Sequence, residues 1–182
     1  MNFDKGLEEK LKSVVLKYLE KGKPGWDIPH TLASVHWMRK LIEKEGGDEK
    51  ILVTTMYLHD IGYPKMEKGY KWEDVLKAKA MHGKEGAEIG KRILKKIGGY
   101  SDEEIKRIAY LVETHDELDK LSDIDEILVK EADGLAQIDT DRIVHNLDKE
   151  SHKKFLDDFK KRRFPTFKTK TGKKFLNKLW RE

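Results

Sequence analysis

The sequence contains no cysteine among its 182 residues. This absence excludes a disulfide scaffold, a cysteine-ligated zinc site, an iron–sulfur cluster and a thiol nucleophile, because each of these needs a cysteine sulfur. A metal site in this chain must therefore be built from histidine, aspartate or glutamate side chains.

Long hydrophobic runs are also missing. No stretch approaches the ~20 apolar residues that a membrane span needs, and the charged segment 1–12 lacks the apolar region of a signal peptide. We therefore expect a cytoplasmic protein without a membrane partner. A chain of this length can bury a core without disulfides, and we predict a single domain over residues 1–182.

Basic residues are concentrated near the C-terminus. Residues 149–182 contain 13 Lys and Arg against 4 Asp and Glu, whereas residues 1–148 contain 25 against 30. Because a charge run is by itself poor evidence of a partner, we interpret this region as a solvated basic surface. The alternative is a cationic rim that holds an anionic substrate or a nucleic acid.

Apolar residues recur at helical spacing along the chain, and the alternation typical of strands is nearly absent. Asp27, Asp48 and Ser101 are the predicted N-caps. The segment from Gly62 to about residue 81 is predicted to be irregular, with a short helix near 72–79. The predicted helices span about residues 7–19, 27–45, 48–60, 82–97, 101–112 and 124–138, followed by one or two basic helices broken at Pro165. This pattern predicts an all-α, single-domain helical bundle.

The doublet His59-Asp60 is the first candidate metal site. The apolar run 56–58 brings it to the end of a buried helix, where an imidazole and a hard carboxylate can bind one divalent ion. The dipeptide by itself is not specific, because His115-Asp116 repeats it in the same chain. The doublet therefore needs companions from other helices.

His30 and His36 are the two candidates for an upstream ligand. At about 100° per residue, His30 lies on the apolar helix face with Ala33, Trp37 and Leu41. His36 falls instead among charged residues of the same helix. The geometry selects His30 as the ligand and predicts that His36 is exposed to solvent.

Further polar residues lie at positions that could face the core. Asp133 stands in the middle of an apolar helix, so its carboxylate needs a metal or, as the alternative, a basic side chain in a salt bridge. His82 begins a predicted helix and His115 ends one, and each could point inward or act as a cap. His145 and His152 lie in the polar C-terminal region and are predicted surface residues.

The order His30, His59-Asp60 and Asp133, with His59 at 29 positions after His30, resembles the HD superfamily of metal-dependent phosphohydrolases. The supporting segments are Asp27-Ile-Pro-His30, Gly46-Gly47-Asp48, Leu58-His59-Asp60-Ile61-Gly62 and Glu131-Ala132-Asp133-Gly134-Leu135. The resemblance covers about residues 25–140, which we take as the HD core. Residues from about 141 to 182 then form a basic helical C-terminal extension.

The resemblance implies a metal site in the centre of the bundle. The implied ligands of one divalent ion are His30, His59, Asp60 and Asp133. His82 and His115 are similar in position to two histidines that bind a second metal in some members and face substrate phosphate in others. The candidate ions are Mn, Fe, Mg, Co and Ni. The chain departs from several subfamilies, which have Lys or Glu three residues after the doublet aspartate, where Tyr63 stands here.

The resemblance also implies the reaction, which is hydrolysis of a phosphate ester by attack of metal-activated water. The implied substrate is a nucleotide or a related small phosphorylated molecule. Asp60 or Asp133 could accept the proton of the water. Charge on the phosphate could be stabilised by Lys65, Lys84 or Lys91. Lys84 is the first choice, because it lies near a predicted helix N-terminus that also favours anions.

Two other functions stay open. A di-iron oxygenase built on the same fold would need His82 and His115 as ligands. A non-enzymatic protein would keep a structural metal and use its basic tail to bind nucleic acid. We place the hydrolase first, because hard ligands with open coordination positions suit hydrolysis without further assumptions.

Overall fold

A computed structural model describes residues 3–66 and 70–180. Within these ranges the regular elements are helices, and no strand is present. They are α1 (Lys5–Leu19), α2 (Asp27–Glu45), α3 (Glu49–Leu58), α4 (Trp72–Ile97), α5 (Asp102–Thr114), α6 (Ile124–Ile138), α7 (Lys149–Asp158) and α8 (Lys170–Leu179), with a π-helical turn (Phe159–Arg163) and a 3-10 turn (Phe164–Thr166) between the last two. The predicted all-α bundle is confirmed. Among the described residues, no helix combines the length and the apolar character needed to cross a bilayer.

Helix α3 lies at the centre of the bundle. It contacts α1, α2, α4, α5 and α6, and every residue from Leu52 to Asp60 is buried. A helix that packs on all sides is buried around its whole circumference rather than along one stripe. The chain at its C-terminal end therefore carries His59 and Asp60 into the interior.

Side-chain caps begin two helices where they are predicted. Asp48 accepts a hydrogen bond from the first turn of α3 (3.1 Å), and Ser101 and Glu104 form a reciprocal capping box on α5 (3.2 and 2.6 Å). Asp27 is not the N-cap of α2. It is the first helical residue, and its carboxylate turns back to accept a hydrogen bond from the Lys23 backbone N–H (2.6 Å).

The segment predicted to be irregular contains the first half of α4, which is one helix of 26 residues. The prediction of a separate helix that begins at His82 is therefore wrong. Trp72 and Val75 are buried, and Trp72 packs edge-on against Phe155 of α7 at 5.5 Å between ring centroids. This tertiary contact stabilises the first turns of α4, whose lysine-rich sequence shows little helical periodicity of apolar residues. Residues 67–69 of the predicted irregular segment lie outside the described residues.

The C-terminal region packs on the bundle. Phe159 and Phe167 are buried, and a Cβ atom on Gly134 of α6 would lie 3.0 Å from the Phe167 ring. Glu131, also in α6, is fully buried and accepts a hydrogen bond from the Thr169 backbone N–H (2.8 Å). Most basic side chains of this region are exposed, as expected of a solvated basic surface, but Arg163 is buried and departs from that interpretation.

The close approach of α4 to α5 generates a stability prediction. A Cβ on Gly83 of α4 would lie 2.5 Å from the backbone oxygen of Glu113 in α5. We expect Gly83→Ala to lower the free energy of unfolding by about 1–3 kcal/mol, because the two helices must separate to admit the methyl group.

Gly90 provides the matched control in the same helix. Its added Cβ would meet only a methyl group of Leu58, at 3.2 Å, which can shift. Gly90→Ala also gains helix propensity of up to about 1 kcal/mol, so we expect little net change. Urea unfolding of both variants measures the difference, and equal unfolding midpoints for the two variants would contradict the packing argument.

Candidate metal centre

Six buried side chains from five helical segments meet inside the bundle. Each is at most 7% exposed at its side chain. They are His30 in the first turns of α2, His59 and Asp60 just after α3, His82 in the middle of α4, His115 just after α5, and Asp133 in α6. The structure thus brings together all the histidines and aspartates that the sequence nominates for the metal site.

One cluster has the spacing of adjacent metal ligands. His30 Nε2 lies 3.0 Å from His59 Nε2 and 3.0 Å from Asp133 Oδ1. Asp60 Oδ2 lies 3.7 Å from the same His30 nitrogen. Neighbouring ligands of an octahedral ion at about 2.1 Å are about 3 Å apart. His30, His59 and Asp60 form a buried group that could hold one divalent ion, and Asp133 lies next to the two imidazoles of that group.

A second cluster lies on the other side of Asp60. His82 Nε2 and His115 Nε2 are 3.1 Å apart, and Asp60 Oδ1 lies 3.7 Å and 3.6 Å from them. His82, His115 and Asp60 form one of the buried groups whose ligand atoms could hold an ion. Because Asp60 turns Oδ2 toward His30 and Oδ1 toward this pair, one carboxylate faces both clusters.

Backbone contacts orient three of the imidazoles. The Nδ1 atoms of His59, His82 and His115 lie 2.8, 2.9 and 2.7 Å from the carbonyl oxygens of Met56, Lys79 and Val112. A carbonyl can only accept, so each Nδ1 carries the proton and each neutral ring turns an Nε2 lone pair inward. Two such lone pairs 3.1 Å apart repel unless a proton or a metal ion lies between them. The donor chemistry therefore fits a cation at this position.

Burial and the local charges set the protonation of these groups in the absence of metal. Burial lowers the pKa of His59 and of His82 to about 4. Burial opposes protonation of His115 as well, but the carboxylates of Asp116 and Asp60 raise its pKa. Of the two rings in the second cluster, His115 is thus the one whose protonation the surrounding charges favour.

A lysine that the sequence analysis did not identify lies beside Asp60. Lys23 is 4% exposed, and its Nζ lies 3.3 Å from Asp60 Oδ2 and 3.2 Å from Asp27 Oδ1. The same Nζ lies 3.4 Å from the centre of the Tyr63 ring. Although burial opposes it, the Lys23 charge holds the pKa of Asp60 well below its usual range. No sequence signal pointed to Lys23, which follows a glycine in the loop before α2.

An arginine from the C-terminal region provides the positive charge beside Asp133, as Lys23 does beside Asp60. Arg163 is 3% exposed, and its Nη1 lies 2.7 Å from Asp133 Oδ2. Its Nη2 donates a hydrogen bond to Asp116, which also pairs with Lys79 at 3.2 Å and with His82 at 3.3 Å. Against the cost of burial, Arg163 keeps the pKa of Asp133 well below its usual range. The His115-Asp116 dipeptide was the one sequence signal for Asp116.

The other histidines lie outside the two clusters. His36 is half-buried beside Trp37 rather than fully exposed, and it contacts neither cluster among the described residues. His152 is half-buried and stacks on His145 at 4.7 Å. The prediction that His145 is a surface residue is wrong, because its ring packs against Trp26 (5.0 Å) and lines the cavity beside the metal centre.

The three lysines proposed for phosphate lie farther out. Lys65 is exposed, and Lys91 pairs with Glu88 at 2.7 Å on the surface of α4. Lys84 is also exposed and lines a shallow recess that His82 and Asp116 share. Because α4 begins at Trp72, Lys84 lies in the middle of a helix and not near an N-terminus.

A cavity opens onto the metal centre. Its polar lining consists of Lys23, His30, Asp60, Lys79, His115, Asp116 and Asp133. The rest of its lining is mainly aromatic and includes Trp26, Tyr70, Trp72, His145 and Phe155. This lining suits a small molecule that carries both an anionic group and a flat or apolar group.

Comparison with known proteins identifies one family. A family model described as HD domain matches residues 28–151. A search of the curated proteins and a search of the solved structures found no match. The matched range contains all six residues of the two clusters, whereas Arg163 lies beyond it.

The buried histidines generate a pH prediction for the metal-free protein. His59, His82 and His145 each have a pKa lowered to about 4, first of all by burial. Between pH 6.5 and 4 the unfolded chain binds protons on these rings that the folded chain does not bind. We therefore expect the free energy of unfolding to fall as the pH falls through this window, by up to about 1.4 kcal/mol per pH unit for each ring.

The His145→Phe variant isolates one of the three rings and keeps the stacking. Its stability in excess chelator should fall less steeply between pH 6.5 and 4 than that of the wild type, by about one proton. Asp60, Asp116 and Asp133 do not contribute here, because their pKa values are lowered and act below about pH 4. Asp27, whose pKa is raised by burial, acts alike in both proteins. Identical slopes for variant and wild type would show that His145 titrates normally.

Proposed function

This chain belongs to the HD superfamily, and on that premise we propose that it is a metal-dependent phosphohydrolase that cleaves a phosphate ester by attack of water. The observation that carries the proposal is the buried group of His30, His59 and Asp60, with Asp133 beside the two imidazoles. His30, Asp60 and Asp133 line an open cavity. Hydrolysis is the general activity of the family. The proposed ion is Mn, Fe, Mg, Co or Ni, because the ligands are imidazoles and hard carboxylates.

A divalent ion bound in this cluster supplies Lewis acidity to the phosphoryl group and lowers the pKa of a bound water. Asp60 and Asp133 are the carboxylates close enough to hold the proton that the water loses. Lys23 and Lys79 line the same cavity and stabilise negative charge on the phosphoryl oxygens. Lys84 lines the recess next to Asp116 and not the cavity itself. We therefore propose that Lys84 contacts the substrate only from the recess.

The aromatic part of the cavity lining favours a nucleotide or a related small phosphorylated molecule as the proposed substrate. Trp26 and Trp72 offer flat apolar surfaces there, and His145 is held neutral by burial, which lowers its pKa to about 4. Neutral aromatic groups stack on a base or another planar group. We do not favour a nucleic acid as the partner. Arg163 of the basic region is buried inside the protein, so its charge does not face an external partner.

A di-iron oxygenase is the second candidate, and the second cluster is the observation that favours it. Asp60 faces both clusters, so His82 and His115 could complete a two-ion site. An absorption spectrum of the iron-loaded protein under oxygen, compared with turnover of phosphate esters by the same protein, tests this candidate.

The function is tested by a screen of phosphomonoesters, phosphodiesters and nucleotides with each candidate metal, on protein whose metal content is measured. We expect turnover of a small phosphate ester that a chelator abolishes. Asp60→Ala should lose both turnover and metal while circular dichroism shows the helical fold intact. Full metal content in Asp60→Ala would contradict the assignment, and so would chelator-resistant turnover.

The number of ions is tested separately. We propose a second ion at His82 and His115, which must be neutral to coordinate. Burial lowers the pKa of His82 to about 4, so this ring stays neutral between pH 6 and 8. Although burial opposes it, the carboxylates of Asp116 and Asp60 raise the pKa of His115, so the second equivalent should bind more weakly as the pH falls and this ring is protonated. Metal per chain is measured for the wild type, His82→Ala and His115→Ala from pH 6 to 8. A wild type that never exceeds one ion, with both variants unchanged, would assign the pair to substrate or structure instead.

A further inference from the structure

We propose that Arg163, from the basic C-terminal region, is a positioning residue of the metal centre. It holds one oxygen of Asp133 and thereby leaves the other oxygen to face the ion. The inference rests on the proposed metal site and adds to it a residue that lies beyond the matched family range.

The two oxygens of Asp133 have different partners. Oδ1 lies 3.0 Å from His30 Nε2 and accepts a hydrogen bond from Gln137 (3.0 Å). Oδ2 lies 2.7 Å from Arg163 Nη1. A carboxylate held on both sides cannot rotate freely, so Asp133 presents Oδ1 toward the His30–His59 pair. Outer partners of this kind orient metal ligands and raise their affinity for the ion.

The guanidinium is itself held in place. It is 3% exposed, and its second nitrogen donates to Asp116 just after α5. The planar fork of an arginine can hold two carboxylates at a fixed angle, which the point charge of a lysine cannot do. Arg163 therefore links the end of α5 to the middle of α6 across the site.

The backbone delivers Arg163 through an unusual local structure. Arg163 ends the π-helical turn Phe159–Arg163, an element that is rare and occurs often at functional sites. The chain that follows is fastened to the turn of α6 that carries Asp133. Phe167 packs on Gly134, and Thr169 donates through its backbone N–H and its hydroxyl to Glu131 (2.8 and 2.6 Å). The segment is thus fixed to residues 131–134 on both sides of the aspartate.

The test compares Mn²⁺ affinity in the full-length wild type, Arg163→Met and Arg163→Lys by competition with a chromophoric chelator. We expect the dissociation constant of Arg163→Met to rise about 10–100-fold, the range typical for outer partners of metal ligands. Arg163→Lys should fall between the two, because it keeps the charge and loses the fork. The visible spectrum of the Co²⁺-loaded protein should change in the same order, since it reports ligand geometry.

Two controls separate positioning from general loss of structure. Arg162→Met removes a neighbouring exposed arginine and should leave the affinity unchanged. Thr169→Val loosens the same segment at Glu131 without touching Arg163, and should lower the melting temperature while the Mn²⁺ affinity falls much less than in Arg163→Met. Should Arg163→Met fail to fold, Arg163→Lys decides the question by itself.

Three results would overturn the proposal. One is wild-type affinity and an unchanged Co²⁺ spectrum in Arg163→Met or, if that variant does not fold, in Arg163→Lys. Another is a loss in Thr169→Val as large as that in Arg163→Met, which would make the role merely structural. The last is that Arg163→Met binds an additional ion at His115, Asp116 and Asp133 while its affinity at the first site is unchanged. That result would mean that the guanidinium only keeps a cation out of this group. A wild type that binds no metal would defeat the proposed function itself, so the two failures are distinguishable.

Discussion

The interior of this protein depends on neutralising carboxylates inside a helical bundle. Asp60 and Asp133 lie among apolar helices, and a buried carboxylate costs several kcal/mol unless cations and hydrogen bonds compensate it. Lys23 and Arg163 provide two permanent positive charges, and four imidazoles surround the remaining oxygens. The loop before α2 and the turn after α7 are therefore parts of the site, because they carry those two cations.

The arrangement of these charges leaves one side of the centre open. Arg163 pairs with the outer oxygen of Asp133, whereas Lys23 lies beside the Asp60 oxygen that also faces His30. The Nε2 atoms of the histidines point inward. The cavity reaches this centre, and its lining combines cationic and ligating groups with aromatic rings. A small anion with a flat substituent matches that lining. The match is the link between the electrostatics of the core and the proposed hydrolysis of a phosphate ester.

The candidate metal ligands could be predicted where a local pattern of apolar residues indicates that a side chain is buried. The apolar run before His59-Asp60 indicates a buried helix end, and the helical face of His30 separates it from His36 in the same helix. The pattern failed where tertiary contacts replace periodicity. The first part of α4 is helical because Trp72 packs on Phe155, and His145 is half-buried because it packs on Trp26. Neither contact has a signature in the nearby sequence.

The sequence by itself determined the helical class, the absence of thiol chemistry and the set of histidines and aspartates available to a metal. These properties follow from composition and from helical periodicity, which act over one or two turns. Only the tertiary structure decided which cations balance the buried carboxylates. Lys23 meets Asp60 across 37 positions, and Arg163 meets Asp116 across 47. Coulombic attraction depends on distance in space and not along the chain, so among many lysines and arginines only the fold selects these two.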